Sequence, residues 1–588
     1  MNIFLWYTYS YMNWTLQPFH PNTPSFSRDL NADEIIAHLL LSRGIDSAQK
    51  ARDFFAPDYD KHLHDPFLFR GLSKVVDRVQ KAIQKSEYVG IFGDYDADGV
   101  TGSAVLREAL EGLGLKTIVH IPDKHKEGHG LSREGIRVFS EAGVTLFFTV
   151  DCGITNRDEI LEAKQKGMEC VVVDHHHVPE IMPDALAIIN PKVPEDTYPF
   201  KDLCGAGTAF KVSQGLYRKL APEREHQLKW LLDIVAIGTV ADCMPIVDEN
   251  RIFVRYGSVV LAKTRRVGLR ELYATGRIPI SDSKHPDAMM IAFQIAPRIN
   301  AAGRMAHARL AHELLVEGNR DRACSLASEL EAHNRERKKM SDAITKRVKE
   351  RVEKECASKN TIVVADASYP LGIVGLIAGK IAEAFSKPTV VLAAKEGEDA
   401  YQGSLRSAQG VHLMEILNEC AYLLEKFGGH AQAAGLTVKC ENFKAFSELF
   451  EQLVSQNLHK GECVEEKHID AELLAKHLNL DFLYNIRRFS PFGEGNPEPT
   501  FLLRDARIMD IRFLGQENQH LKLRLQIGNG FEKESIDSIG FSLAQKCLDL
   551  SPGDRVHVVG KLRENEWNGR VSLQFFIEDV RKFQEYTL

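Results

Sequence analysis

At 588 residues the chain is too long for one hydrophobic core, since single domains usually run ~100–200 residues, so several domains are expected. With 44% hydrophobic and 26% charged residues and no run of ~18 apolar residues, it reads as globular and a helical membrane span is excluded. A formal net charge of -7 excludes a uniformly basic, nucleic-acid-coating protein but leaves room for a locally basic groove and for carboxylates gathered around metal ions.

The N-terminal stretch MNIFLWYTYSYMNW is aromatic-rich, without a basic leader or a compact aliphatic run. It does not read as a signal peptide, and Met12 offers a second start. The ten cysteines form no Cys-x-x-Cys pair, which argues against structural zinc or a disulfide framework and for a reducing cytoplasm. Cys152 and Cys243, each after an aspartate, read as small buried residues.

Residues 28 to 85 read as helical; ADEIIAHLLLSRG has apolar pairs at helical spacing and ends in glycine. From Tyr88 short apolar runs appear: YVGIF, TLFFTV and CVVVD. Helix-like segments such as SAVLREALEGLG and RDEILEAKQKG separate them. Buried strands alternating with helices predict a parallel α/β sheet covered on both faces. Residues 311–357 are long, charged and helix-prone, and read as a solvated connecting helix with salt-bridged faces rather than a DNA-contacting stripe. A second α/β unit opens at TIVVAD, with VGLIAGKIAEAF as its helix and PTVVLAA as its next strand. After the Pro/Gly-rich FSPFGEGNPEPTF the pattern is all-β: HLKLRLQI and DRVHVVG alternate with period two, and Asn568-Gly569 signals a type I′ hairpin. About five short strands suggest a small closed barrel of the OB-fold type.

The acids carry the chemistry. In IFGDYDADGVTG a buried strand is followed by Asp94, Asp96 and Asp98, with a helix expected after Gly99. TLFFTV ends in Asp151, and CVVV ends in Asp174, His175, His176 and His177. The carboxyl ends of strands in an open parallel sheet form one crevice, where ligands bind. Like charges packed there repel, and cations are the remedy. Oxygen ligands with a few imidazoles suit Mn²⁺ or Mg²⁺, and two such ions ~3.5–4 Å apart activate a water and stabilise a phosphodiester's leaving oxygen. Asp242, ending LLDIVAIGTVAD, can complete the set. The competing readings are weaker. D-x-D-x-D-G resembles a calcium loop, but position twelve from Asp94 holds no glutamate. Asp151 alone could be a helix N-cap, and a lone histidine triplet a surface accident, but all these features falling at strand ends would need three coincidences.

These motifs (G-D-Y-D-A-D-G, V-D-C-G, D-H-H and G-T-V-A-D) resemble those of the DHH phosphoesterase family. The resemblance implies a two-metal site, usually manganese, with Asp96, Asp98, Asp151, His175 and Asp242 as ligands. Asp94 and Asp174 would support them, and His176 would face the scissile phosphate. A-P-R-I-N-A-A-G-R, G-S-L-R-S, F-G-G-H-A-Q-A-A-G and P-F-G-E-G-N-P resemble the family's single-strand-specific exonuclease branch, from roughly residue 30 to the end. That branch implies 5′-to-3′ hydrolysis of single-stranded DNA to mononucleotides, in repair and recombination. It implies a DHH catalytic domain (61–310), a linking helix (311–357), a DHH-associated α/β domain (358–462) and an OB-fold (463–588), which follow an N-terminal extension and helices (1–60). Candidate protein partners are a single-strand-binding protein or a helicase.

On the substrate side, Gly428 and Gly429 would let backbone approach a phosphate, and His430 would donate to it. Ser404 and Arg406 would hold a terminal phosphate. Lys124, Arg298, Asn300 and Arg304 would position the nucleotide backbone. Trp567 and Phe575 are candidate stacking residues, with a core role at least equal for Phe575. Two positions depart from the family pattern: Asp123-Lys124 replaces Asn-Arg, and His177 replaces a leucine. The alternatives are a DHH phosphodiesterase acting on short oligonucleotides or cyclic dinucleotides, with little use for the barrel, and a non-catalytic scaffold, which would have no reason to keep so many repelling acids.

Overall fold

The apolar runs that punctuate residues 88–190 become the strands Tyr88–Gly93, Lys116–His120, Leu146–Val150, Glu169–Val173 and Ala187–Ile189 of one parallel sheet in the computed structural model. The structure describes residues 13–583 apart from 125, 356–357, 396, 409, 460–465, 529–532 and 568. Lys116–His120 flanks Tyr88–Gly93 on one side and Leu146–Val150 flanks it on the other. In chain order the five strands therefore lie 2-1-3-4-5, a doubly wound arrangement whose direction reverses between the first and third strands. Helices Ala97–Gly112 and Gly205–Leu220 pack on one another beside it. The first of these helices begins at Ala97, not after Gly99, because the Asp96 side chain caps it by accepting from the amides of Asp98 and Gly99.

The chain divides into two compact units. One is residues 63–465; the other combines the described parts of residues 1–62 and 466–588. In the first, helix Arg320–Glu355 follows a separate helix, Arg309–Val316. At 36 residues it is about 54 Å long. It is not simply solvated. Ala323, Ala327 and Leu330 are buried on its N-terminal half, which packs on helices Val267–Gly276 and Ala296–Met305. Ile344, Val348 and Val352 on its other half join a core with Ile362, Ile373 and Ile377. One helix thus serves as a beam for both halves of this unit. Its second sheet is ordered Leu424–Gly429, Ala433–Lys439, Ala400–Arg406, Thr389–Ala394, Ile362–Ala365, and is mixed: only the last two strands pair in parallel.

In the other unit, strands Phe501–Leu514, His520–Ile527, Glu534–Gly540, Arg570–Lys582 and Arg555–Trp567 are adjacent in that order. The last pairs back with the first, which closes the expected five-stranded OB barrel. Trp567 lies opposite Arg570 and Gly569 has φ +73°, as a two-residue hairpin requires; Asn568 itself is outside the described residues. The N-terminal helices pack on the barrel: Phe26, Ile35, Ile36, Leu39 and Leu40 share a core with barrel residues Leu503, Leu523 and Phe575. The first twelve residues, Met12 included, also lie outside the description. Among the described residues no helix is long and apolar enough to cross a membrane. Cys152 is buried as expected, but Cys243 is exposed, because the chain turns left-handed there (φ +55°) to end helix Leu232–Ala241.

Candidate active site

The reversal in strand order puts the ends of the first and third strands side by side, and the acids follow from it. Asp94 comes directly after Tyr88–Gly93, and its amide donates to Val150 O. Asp151 follows Leu146–Val150 in a left-handed conformation, φ +62°, a region that few side chains besides Asn, Asp and His adopt. It does not cap a helix, since the next begins at Arg157. Asp174 follows the fourth strand, and Asp242 arrives from elsewhere, at the C-terminal end of helix Leu232–Ala241. A carboxylate there faces the negative end of the helix dipole, an unfavourable place unless a cation is near.

His175 Nε2 is the centre of the group. It lies 3.1 Å from Asp151 Oδ1, 3.5 Å from Asp242 Oδ2 and 3.9 Å from Asp98 Oδ2. One imidazole N–H cannot serve three carboxylates. Possible ligand atoms of Asp94, Asp96 and Asp151 lie within 4.8 Å of one another, as do those of Asp98, His175 and Asp242, and those of Asp151, His175 and His176. Burial and the Asp98 charge push Asp242 up to about 9, and burial with the Asp96 charge pushes Asp98 up to about 6. Asp151 is driven well above the usual carboxylate range by burial and Asp98. Burial, with His176 alongside, pushes His175 down to about 3, so its ring is neutral and able to ligate.

Asp174 differs from the rest. Its Oδ1 accepts from the amides of His175 (2.7 Å) and His176 (3.1 Å), and its Oδ2 from the amide of Ile154 (3.0 Å). His176 Nδ1 is 2.8 Å from Oδ1 and donates to it. Burial raises Asp174, but the His176 hydrogen bond and charge and the Ile154 amide outweigh it and hold the carboxyl at about 2. Asp174 therefore fixes the tautomer and orientation of His176. Asp98 is held by main chain, with Gly205 N donating to Oδ2 (2.6 Å) and Ala206 N to Oδ1 (2.8 Å). Asp94 Oδ1, Asp242 Oδ2 and His175 Nδ1 are buried without any hydrogen-bond partner. Two buried, partnerless carboxylate oxygens beside a neutral imidazole and further carboxylates fit a pair of hard divalent cations.

The remaining candidates separate. Asn300 Oδ1 accepts from Ala97 N (2.9 Å), so it steadies the acidic turn itself. Arg298 is not brought to the acids: Nε pairs with Glu331 (2.7 Å), and its other nitrogens bond Gln294 O and Gly276 O. Lys124 Nζ sits 4.8 Å from the centroid of the Tyr95 ring. Arg304 donates to Gly372 O (3.3 Å) and lies within electrostatic reach of both Asp96 and Arg406. Ser404 and Arg406, on one face of strand Ala400–Arg406, approach Gly375 in the first turn of helix Val374–Phe385; a Cβ there would be 3.2 Å from Ser404 Oγ and Arg406 Nη2. Both polar groups thus lie beside the first turn of that helix. Gly429 has φ +146°, and the next residue, His430, places its ring 5.6 Å from that of His177. The second sheet thus meets the first at the D-H-H turn. Phe575 is fully buried in the barrel core, and the Trp567 side chain is outside the description. Sequence reasoning missed the Gly205 and Ala206 amides, which have no side-chain signature. It also missed His129, whose Nδ1 lies 3.2 Å from Asp94 Oδ2.

Three domain models match the chain in succession. The model of the DHH family N-terminal domain matches residues 88–239, that of the DHHA1 domain 358–456 and that of the RecJ OB domain 469–579. The single-stranded-DNA-specific exonuclease RecJ of Bacillus subtilis is 35% identical over 572 residues, 97% of this chain and 71% of that protein. The Haemophilus influenzae protein of the same name is 30% identical over 545 residues, 89% and 93% of the two chains. The crystal structure of RecJ in complex with Mn²⁺ from Thermus thermophilus superposes with a TM-score of 0.82 at 29% identity, covering 97% of this chain and 80% of that one.

Proposed function

The chain belongs to the RecJ family, and from that premise we propose that it is a metal-dependent exonuclease that hydrolyses single-stranded DNA from the 5′ end to mononucleotides. The observation that carries this reading is His175 Nε2 within 3.9 Å of three carboxylates, among buried carboxylate oxygens of which Asp94 Oδ1 and Asp242 Oδ2 make no hydrogen bond. Asp96, Asp98, Asp151, His175 and Asp242 hold two Mn²⁺ or Mg²⁺ ions. Bound there, the ions supply an activated water and stabilise the charge on the leaving oxygen. Asp174 keeps a proton on His176 Nδ1, so Nε2 is the nitrogen presented to the scissile phosphate. Ser404, Arg406 and the first turn of helix Val374–Phe385 hold the terminal phosphate, and Gly429, His430, Lys124 and Arg304 line the strand's path. Arg298 and Asn300 act indirectly, through the helices and the acidic turn that they bind.

The same reading assigns residues 61–310 to the catalytic domain, 311–357 to the link, 358–462 to the DHH-associated domain and 463–588 to the OB-fold. It places the protein in the cytoplasm, in DNA repair and recombination, with a single-strand-binding protein or a helicase as partner. The test is incubation with 5′-labelled single- and double-stranded DNA in Mn²⁺, Mg²⁺ and EDTA. Labelled mononucleotide should be the first product from single strands, with none from blunt duplex and none in EDTA. A ladder shortening from the 3′ end, or product in EDTA, refutes it.

A further inference from the structure

His129 lies between strand Lys116–His120 and helix Arg133–Glu141, on a turn that is built rather than loose. Gly128 and Gly130 on either side both have φ +85°, a conformation that side chains disfavour. Glu127 fastens the base of the turn: its carboxylate accepts from Asp123 N (2.8 Å) and Ser132 Oγ, and lies 2.9 Å from His120 Nε2. Asn156, from the loop after Asp151, holds the other side, accepting from Leu131 N (3.0 Å) and donating to Leu131 O (3.3 Å). A Cβ at Gly130 would stand 2.6 Å from Asn156 Oδ1, so this side has no slack.

The turn presents the His129 ring edge-on to His176 (5.7 Å) and Tyr95 (6.2 Å), and its Nδ1 is 3.2 Å from Asp94 Oδ2. A carboxylate only accepts, so the ring donates. The two groups differ in exposure: the His129 side chain is 51% accessible and that of Asp94 is 4%. With Oδ2 engaged, Asp94 keeps one buried oxygen, Oδ1, that meets no donor.

Resting on the two-metal reading above, we infer that His129 is a positioning residue for the metal centre. By holding Asp94 Oδ2 it turns Oδ1 toward the cation shared with Asp96 and Asp151, making Asp94 a ligand. A carboxylate free to rotate would lose that orientation, and groups that orient ligands typically govern metal affinity by about 10- to 100-fold.

The experiment is a Mn²⁺ titration of the full chain followed by electron paramagnetic resonance, which counts bound ions without reference to turnover. Wild type should bind two ions. His129→Ala and His129→Phe should each weaken one of them by roughly 10- to 100-fold. His129→Asn, whose amide nitrogen falls where Nδ1 was, should restore most of the affinity. Gly130→Ala, which does not touch Asp94, should reproduce the loss because the turn must shift. Metal-free melting temperatures should be unchanged in the three His129 variants. Two ions bound with wild-type affinity by His129→Ala would overturn the inference alone. Equal defects in the Ala and Asn variants, with lowered metal-free stability, would overturn it in favour of a packing role. A wild type that binds no Mn²⁺ would remove the two-metal reading itself, and this inference with it.

Discussion

Gly205→Ala should cost about a hundredfold in turnover while leaving the protein folded. The Gly205 amide donates to Asp98 Oδ2 and its neighbour Ala206 to Oδ1, so the start of helix Gly205–Leu220 holds this acid by both oxygens. A Cβ at Gly205 would lie 2.6 Å from Asp151 Cβ, 3.0 Å from Asp151 Cα and 3.0 Å from Asp98 Oδ2. Carbon atoms normally approach no closer than about 3.5 Å, so something must move by about 1 Å. Asp151 cannot swing away, because its backbone is part of the clash and its amide is bonded to Val173 O. If the helix retreats instead, its amides leave Asp98, and bonds of that charged type contribute about 1.5–3 kcal/mol each. Either way one acid shifts by ~1 Å, and a misplacement of that size costs on the order of 10² in rate. The assay is single-turnover hydrolysis of a 5′-labelled single strand in saturating Mn²⁺, with melting temperature as the folding check. Gly207→Ala is the control, since its Cβ would meet nothing closer than 3.5 Å. Equal turnover in the two variants would refute the reasoning.

Asp242→Asn should abolish Mn²⁺-dependent hydrolysis yet raise the melting temperature in EDTA, because an amide escapes the proton uptake that burial and the Asp98 charge impose on Asp242 during folding; a lower metal-free melting temperature contradicts this. The pH dependence has a definite sign. Folding raises Asp242 to about 9, so the metal-free native state binds more protons than the unfolded state, and its stability should fall as pH rises from the ordinary carboxylate range toward 9. Melting curves in EDTA across that range check it, and Asp242→Asn should flatten the slope. Mn²⁺ must displace those protons, so calorimetry at neutral pH in buffers of different ionisation enthalpy should show proton release; identical heats would speak against it. Mn²⁺ at a hundred times its dissociation constant should stabilise the fold by about 2.7 kcal/mol, read as a raised melting temperature. Deleting residues 466–588 alone should leave an insoluble chain, because Phe26, Ile35, Leu39 and Leu40 lose a core in which each side chain contributes about 1.5–3 kcal/mol. Residues 63–465 alone should stay soluble and keep Mn²⁺ binding; the opposite solubilities would show that the units are drawn wrongly.

Strands were legible where burial made them continuous. Val171, Val172 and Val173 are fully buried on both faces, and such runs need no alternation to be seen. The barrel was legible for the opposite reason: in His520–Ile527 every second residue is buried. What was not legible was which surfaces pair across long separations. The helices of residues 23–55 look self-sufficient in sequence because their apolar faces say only that something covers them. That the cover is a barrel beginning some 450 residues later is a tertiary fact. Helix Arg320–Glu355 misled because its buried positions, Ala323, Leu330, Ile344 and Val348, are sparse among charges, a pattern shared with a solvated helix.

The same division runs through the site. Asp94, Asp151 and Asp174 were legible because each ends a buried apolar strand, and a charged residue there has only the sheet's carboxyl edge to occupy. Their supports were not. Asp98 is held by amides more than a hundred residues away, and an amide belongs to every residue type alike. Asn300 and His129 are ordinary polar residues until the fold sets them against Ala97 N and Asp94 Oδ2. Arg298 shows the converse. It stands in the same motif as Asn300 and Arg304, but Glu331, Gln294 and Gly276 claim its guanidinium first. A motif therefore marks a stretch of chain that the site depends on. Whether a given residue in it touches substrate, or holds something that does, is decided by partners lying elsewhere in the sequence.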